Sequence, residues 1–314
     1  MAEQLRFLID EDTLHPPQHT GLDTASDVIQ LADGFERLVE TVQVVGGHAV
    51  GKLSAIWEYT LGDHVLAEWL FDPSLGIDRV VAQALTAALW RMPDWDEILD
   101  RQGLSAEVAI DGDLRDATSV SAAMAETAAS RATACLSASP TRRGQKFVEA
   151  QGRSALVHFI TDQSDMLLFF REIPEIEDVD EMAFFANARF AFPDIHFVRE
   201  KADFGNFDES YVSIRPKIGA HLAVLNDHAK AVLSSSETAA EKSIRLGALG
   251  VDASGENSNT KGNRKAMAER TVEVEGRSIL CDWHTKIRPH LDRIYFNATS
   301  HHAVIVGIFS RHLS

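Results

Sequence analysis

Hydrophobic positions recur along this chain at two spacings, and the changes from one to the other mark out its elements. Phe35, Leu38, Val39, Val42 and Val45 follow each other at helical intervals and stop at Gly46-Gly47, which predicts a helix over residues 27–45. From Leu53 to Leu61 and from Val65 to Phe71 the pattern reads as two strands around Gly62-Asp63, a hairpin signal. Val80, Val81, Ala84, Leu85, Ala88 and Leu89 then form one stripe of a helix from Ile77 to Met92, stopped by Pro93. A short helix near 94–101, a strand over Glu107–Ile110 and an alanine-rich helix over 117–132 follow. Residues 1–26, with Pro16, Pro17 and Gly21, read as a loose or docked arm, and 136–144 has the composition of a linker.

The second half begins with a hairpin, Lys146–Ala150 and Arg153–Thr161, turning at Gln151-Gly152. Asp162 and Asp178 are placed to cap two helices, the second ended by Pro193. A short strand at Ile195–Val198, a long helix over 211–233 broken near Pro216, and a helix over 238–249 come next. Residues 251–270 are polar and read as a loop. Four strands are expected after it: Thr271–Val274, Arg277–Ile287, Arg293–Phe296 and His302–Phe309, with Glu275-Gly276 turning the first pair. This order predicts an α+β protein of mixed helices and antiparallel sheets, ending in a four-stranded antiparallel meander. Three segments are expected: an acidic α+β module over 1–140, a mainly helical stretch over 141–250, and a β-rich module over 251–314. The last two are able to form one domain.

Charge sharpens that division. The net charge is −17 over 314 residues. Residues 1–140 hold 8 Lys and Arg against 23 Asp and Glu, whereas residues 251–314 hold 9 against 7. The overall field repels phosphates, so any contact with nucleic acid belongs at the C-terminal end. The acidic segment is instead suited to a protein partner. Two cysteines, Cys135 and Cys281, lie in apolar settings and read as buried thiols. No apolar run reaches the ~18 residues of a membrane span, and the first residues lack a secretory pattern, so a soluble cytoplasmic protein without membrane contact is expected.

Chemistry concentrates between Cys281 and Phe296. If Arg277–Ile287 is a strand, Cys281, Trp283 and Ile287 point one way and Asp282, His284 and Lys286 the other. Arg293 and Tyr295 of the next strand join the polar face. His284 is a candidate base or acid, Lys286 and Arg293 candidate phosphate ligands, Tyr295 a proton donor or base-stacking group, and His312 a completing residue. Lys261, Arg264, Lys265 and Arg288 are candidate contacts to a nucleic-acid backbone. The competing reading is a solvated sheet face with cross-strand charge pairs. A metal centre drawn from Cys281, His284, His290 and His312 is disfavoured, because Cys281 and His284 fall on opposite faces. No phosphate loop, dinucleotide fingerprint or nucleophile elbow occurs, and no cofactor is expected.

The run Asp-Arg-Ile-Tyr-Phe, leading to Val-Ile-Val-Gly-Ile-Phe-Ser-Arg-His-Leu, resembles the end of RelE/ParE-type toxin domains over roughly the last 60 residues. The resemblance implies RNA as partner and metal-independent endoribonuclease activity, of the kind found in toxin-like or phage-defence systems. The alternative is a non-catalytic adaptor that docks a partner protein through its acidic surface.

Overall fold

A computed structural model describes residues 5–15, 25–46, 48–99, 103–288, 291–298 and 303–311. The chain divides into two compact units, Met1–Asp178 and Val179–Ser314. The boundary between them falls after Asp178.

In the N-terminal unit the elements are β1 (Phe7–Ile9), α1 (Ala25–Val44), β2 (Val50–Gly51), β3 (Thr60–Leu61), β4 (His64–Val65), α2 (Leu66–Phe71), α3 (Arg79–Arg91), α4 (Trp95–Ile98), β5 (Glu107–Ile110), β6 (Asp113–Asp116), α5 (Thr118–Ala128), β7 (Ala134–Leu136), β8 (Gly144–Ala150), β9 (Arg153–Ile160) and α6 (Gln163–Ile176). Seven strands form one sheet in the order β2-β1-β7-β9-β8-β5-β6. β2, β1, β7 and β9 are mutually parallel, and β8, β5 and β6 add to them antiparallel. Leu8, Cys135 and Phe159 stand in register on one face and join the Val120, Ala123 and Met124 side chains of α5 in a buried cluster. On the other face Phe7 and His158 meet the Phe169 ring of α6. The small side chains of α5 let the helix lie close to the sheet, which is why an alanine-rich stretch is buried there.

Two expectations change here. Residues 7–9, inside the expected arm, are β1, an interior strand of the sheet and fully buried. Residues 66–71 are not a strand: Leu66, Trp69 and Leu70 are the buried face of α2, and the Glu68 carboxylate accepts the Val65 amide at its start. Only the two-residue strands β3 and β4 remain of the expected hairpin. The second hairpin forms as read, β8 with β9, its turn residues Gln151 and Gly152 both at positive φ.

The C-terminal unit holds α7 (Glu181–Ala191), β10 (Ile195–Phe197), α8 (Tyr211–Val224), α9 (Lys230–Leu233), α10 (Ala239–Ala248), β11 (Ala253–Gly255), α11 (Ser258–Gly262), α12 (Arg264–Glu269), β12 (Thr271–Val274), β13 (Arg277–Leu280), β14 (Trp283–Lys286), β15 (Arg293–Asn297) and β16 (Val304–Ser310). Its five-stranded sheet has the order β10-β16-β15-β14-β11, and β12–β13 is a separate hairpin. The antiparallel C-terminal strands are present, but the expected strand Arg277–Ile287 splits at Cys281-Asp282. There the Cys281 amide donates to the Arg270 carbonyl and the Asp282 carbonyl accepts from Glu256. The long helix passes Pro216 unbroken and widens instead into a π turn at Leu225–Ala229.

One face of this sheet carries an aromatic core. Phe309 stacks 5.0 Å from Phe204 and 5.2 Å from Phe207. Over the other face lies an apolar cluster of Val198, Val272, Cys281, Tyr295, Ile305 and Ile308. The register between β15 and β16 slips by one, with Tyr295 opposite Ile308 and Phe296 opposite Val306. Gly307 is therefore the unopposed residue of a β-bulge. No Cβ fits there: it would stand 2.5 Å from the Cys281 sulfur. Among the described residues, no helix is long and apolar enough to cross a membrane.

Candidate functional site

The sheet register decides which of the sequence-nominated residues meet. His284 stands opposite Tyr295 and Lys286 opposite Arg293, so all four share one face. His312 lies outside the described residues, as do His290, His301 and His302. The shared face is not a solvent-washed surface. His284, Arg293 and Tyr295 are buried, and Tyr295 is packed inside the apolar cluster. Tyr295 therefore acts as a wall of the site and not as a group that reaches substrate. Arg288 sits past the end of β14, in an ion pair with Glu209 at 2.7 Å. Arg264 and Lys265 begin α12 and are exposed.

The residue that sequence reading missed is on the edge strand. β11 pairs with β14, placing Ser254 directly opposite His284. The Glu256 amide donates to Asp282 and the Lys286 amide to Asp252. Residues 252, 254 and 256 therefore bond to β14, and the intervening amides of Ala253 and Gly255 face outward. Glu256 is two residues on from Ser254 and shares its face. Its carboxylate lies between two partners. The Arg270 Nε donates to Oε1 at 2.8 Å, and His284 Nδ1 stands 3.3 Å from the same oxygen. The second contact is close enough for a hydrogen bond but poorly aligned for one. On its far side the imidazole presents Nε2 to the Ser254 hydroxyl at 3.4 Å. Carboxylate, imidazole and hydroxyl thus follow one another across two strands.

Electrostatics suit that order. Burial pushes the Glu256 carboxyl up, but the close approach of His284 and the bond and charge of the Arg270 guanidinium outweigh it and hold it at about 2. Glu256 is therefore an anion at neutral pH. Burial draws His284 below its ordinary value, and the neighbouring Glu256 opposes this only in part. The imidazole is consequently neutral at pH 7 and able to take a proton. Lys286 is half-exposed and pairs with Asp252 at 2.9 Å, and Lys261 approaches Asp282 at 3.5 Å.

A second polar concentration lies in the N-terminal unit, where the parallel strands end. The chain leaves β1 to pair on one side with β2 and later on the other with β7, so the crevice beyond their C-terminal ends is a topological switch point. Asp10, Glu11 and Asp12 follow β1 there. Burial raises Asp10 to about 6 despite Arg142, and raises Glu11 to about 7 despite the bonds from Ser119. The crevice beside them encloses about 250 Å³. The cations that line it pair with carboxylates, Arg142 with Asp10 and Asp12, Lys146 with Asp111, Arg115 with Asp113, as Lys286 and Lys261 do in the C-terminal unit. These groups close on one another. His284, by contrast, turns its basic nitrogen to a half-buried hydroxyl, and the C-terminal unit is the stronger candidate.

Comparison of this chain with protein-family models, with curated proteins and with solved structures finds no match.

Proposed function

We propose that the C-terminal unit is a hydrolase that cleaves nucleic-acid phosphodiesters by covalent catalysis at Ser254. The observation that carries this reading is the His284 imidazole held between the Glu256 carboxylate and the Ser254 hydroxyl. In such a relay His284 Nε2 takes the proton of Ser254 Oγ as the oxygen attacks phosphorus. The P–O bond to the leaving sugar oxygen breaks, and that oxygen takes the proton back from the imidazolium. Water, deprotonated by His284, then attacks the phosphoserine and frees Ser254. Glu256 stabilises the imidazolium and fixes the ring, while Lys286 and Lys261 neutralise charge on the phosphate. The 3.4 Å contact is of the loose kind that tightens when substrate binds. RNA is the substrate class that the RelE/ParE-type resemblance implies. Arg293 supports the field from its buried position.

The test is incubation of the purified protein with total RNA and with single-stranded DNA, with and without chelator. Cleavage that survives chelator and disappears in Ser254→Ala and His284→Ala supports the reading. So does a mass increase on the Ser254 peptide after treatment with an alkyl fluorophosphonate, where fluoride leaves as Oγ–P forms. An inert protein at micromolar concentration, or cleavage that persists in Ser254→Ala, overturns it.

A further inference from the structure

Arg293 is only 9% exposed, and its Nε is shut off from solvent with no hydrogen-bond acceptor. Among the described residues no carboxylate forms an ion pair with its guanidinium. A buried arginine ordinarily has such a partner, because taking a lone charge out of water is costly. The register adds to the cost. Lys286 stands directly opposite Arg293, so two like charges face each other across β14 and β15. On the other side, in β16, the opposite residue is Ser310. Lys286 and Ser310 are half-buried, so solvent reaches this end of the face. Packing gives no reason to keep an unmatched cation here, and sites of function are where chains keep such groups.

The other cations of the proposed site are offset. Lys286 pairs with Asp252, Lys261 with Asp282 and Arg270 with Glu256. His284 is neutral at pH 7. Arg293 is left with one unmatched positive charge. It lies close enough to His284 to draw that imidazole's proton affinity down. An anion held at Arg293 is therefore held beside the ring that faces Ser254. A phosphate inside a nucleic-acid strand carries one negative charge, whereas a terminal phosphate carries nearly two above its second ionisation at about pH 6. One guanidinium balances the first. With the second, a charge stays uncompensated in a half-buried place.

We propose that Arg293 is the phosphate-binding residue of this face, and that its single charge selects internal phosphodiesters over phosphate termini. The terminal nitrogens of its fork donate to the two non-bridging oxygens of the diester. The proposal rests on the reading of Ser254 as the attacking group for where the phosphorus reacts, but not for the binding itself.

The probes are dimethyl phosphate, a singly charged diester, and methyl phosphate, doubly charged at about pH 8. Titration calorimetry of the full chain at matched ionic strength reads their binding, in the parent and in Ser254→Ala, where no turnover through that hydroxyl occurs. Both proteins are expected to bind dimethyl phosphate alike, and methyl phosphate about tenfold more weakly or worse. Arg293→Met is expected to lose about tenfold or more in affinity for the diester. Its melting temperature stays level or rises, because an unpaired buried charge has gone. Arg293→Lys, which keeps the charge without the fork, retains part of the binding. No binding, equal or tighter binding of methyl phosphate, diester binding that survives Arg293→Met, or a melting temperature that falls in that variant overturns the proposal. A parent that leaves RNA intact but binds dimethyl phosphate through Arg293 removes the hydrolase and keeps the phosphate site.

Discussion

Glu256 and Arg270 form an ion pair at 2.8 Å in which the two side chains are only 5% and 2% exposed. Arg270 also donates to the Ala266 carbonyl and lies 5.3 Å above the Tyr295 ring. Replacing it by Met leaves a carboxylate buried with a poorly aligned imidazole as its neighbour. Such a deletion costs about 3 kcal/mol or more. Urea unfolding at pH 7 is expected to show that loss in Arg270→Met, and a smaller one in Glu256→Gln/Arg270→Met, where no charge is stranded.

Catalysis by a neutral imidazole carries a signature in pH. Activity is expected to rise along an acidic limb centred below 6.5, because burial lowers His284. Glu256 is the group that opposes this lowering. In Glu256→Gln the limb therefore moves to lower pH and the maximal rate falls, and Glu256→Asp restores part of both. A limb that stays in place separates a structural carboxylate from a positioning one.

Glu11 works in the opposite sense on stability. Its carboxyl is raised to about 7 in the folded chain by burial, from an ordinary 4.5. Its contribution is fully present below 4.5 and is lost as pH rises through 7. One oxygen accepts the Ser119 amide at 2.9 Å, at the start of α5, and an amide oxygen can do the same. Glu11→Gln is expected to raise the unfolding free energy at pH 8 by up to about 3 kcal/mol and to change it little at pH 4. Paired denaturation curves at the two pH values measure this.

His221 gives the acid-side counterpart. Burial, with Lys217 adding to it and Asp252 opposing, lowers it to about 4, and it bonds to the buried Thr285 hydroxyl. A histidine kept neutral in the fold stabilises above 6.5 and loses that contribution as pH falls toward 4. The fall in stability between pH 7 and pH 4.5 is expected to be about 2 kcal/mol smaller in His221→Gln than in the parent chain.

Gly307 and Cys281 form a pair that a double substitution can expose. Gly307→Ala drives a methyl group against the Cys281 sulfur and the Val272 side chain. Overpacking of this kind costs about 1–3 kcal/mol. Cys281→Ala removes the sulfur, so the double variant is expected to be more stable than the sum of its parts. Simple additivity of the two changes in urea unfolding refutes the contact.

Long stripes and turn chemistry were legible in the sequence; short elements were not. α1, α3, the Gln151-Gly152 hairpin and the polar face shared by His284, Lys286, Arg293 and Tyr295 all follow from spacing alone. β1 escaped because three buried residues, Phe7–Ile9, are too few to show a period. α2 escaped because Leu66, Trp69 and Leu70 lie beside residues that alternate by chance. β11 escaped for a different reason. Ala253, Ser254 and Gly255 carry no hydrophobic signal, and they form a strand only because β14 supplies the partner. Ser254 and Glu256 were invisible as a site for that reason, although the histidine between them was not. The burial of Tyr295 depends on the β12–β13 hairpin folding over it, a contact that no local pattern encodes.

In an uninterrupted strand, residues three apart look in opposite directions, yet Ile305 and Ile308 both belong to the cluster around Tyr295. The extra residue at Gly307 reverses the parity of β16 partway along. Deleting that one glycine would turn Val304, Ile305 and Val306 over as a block, swapping Ile305 out of the layer that seats the His284 ring. It would also present the parallel partner β10 with the wrong side of every residue it matches.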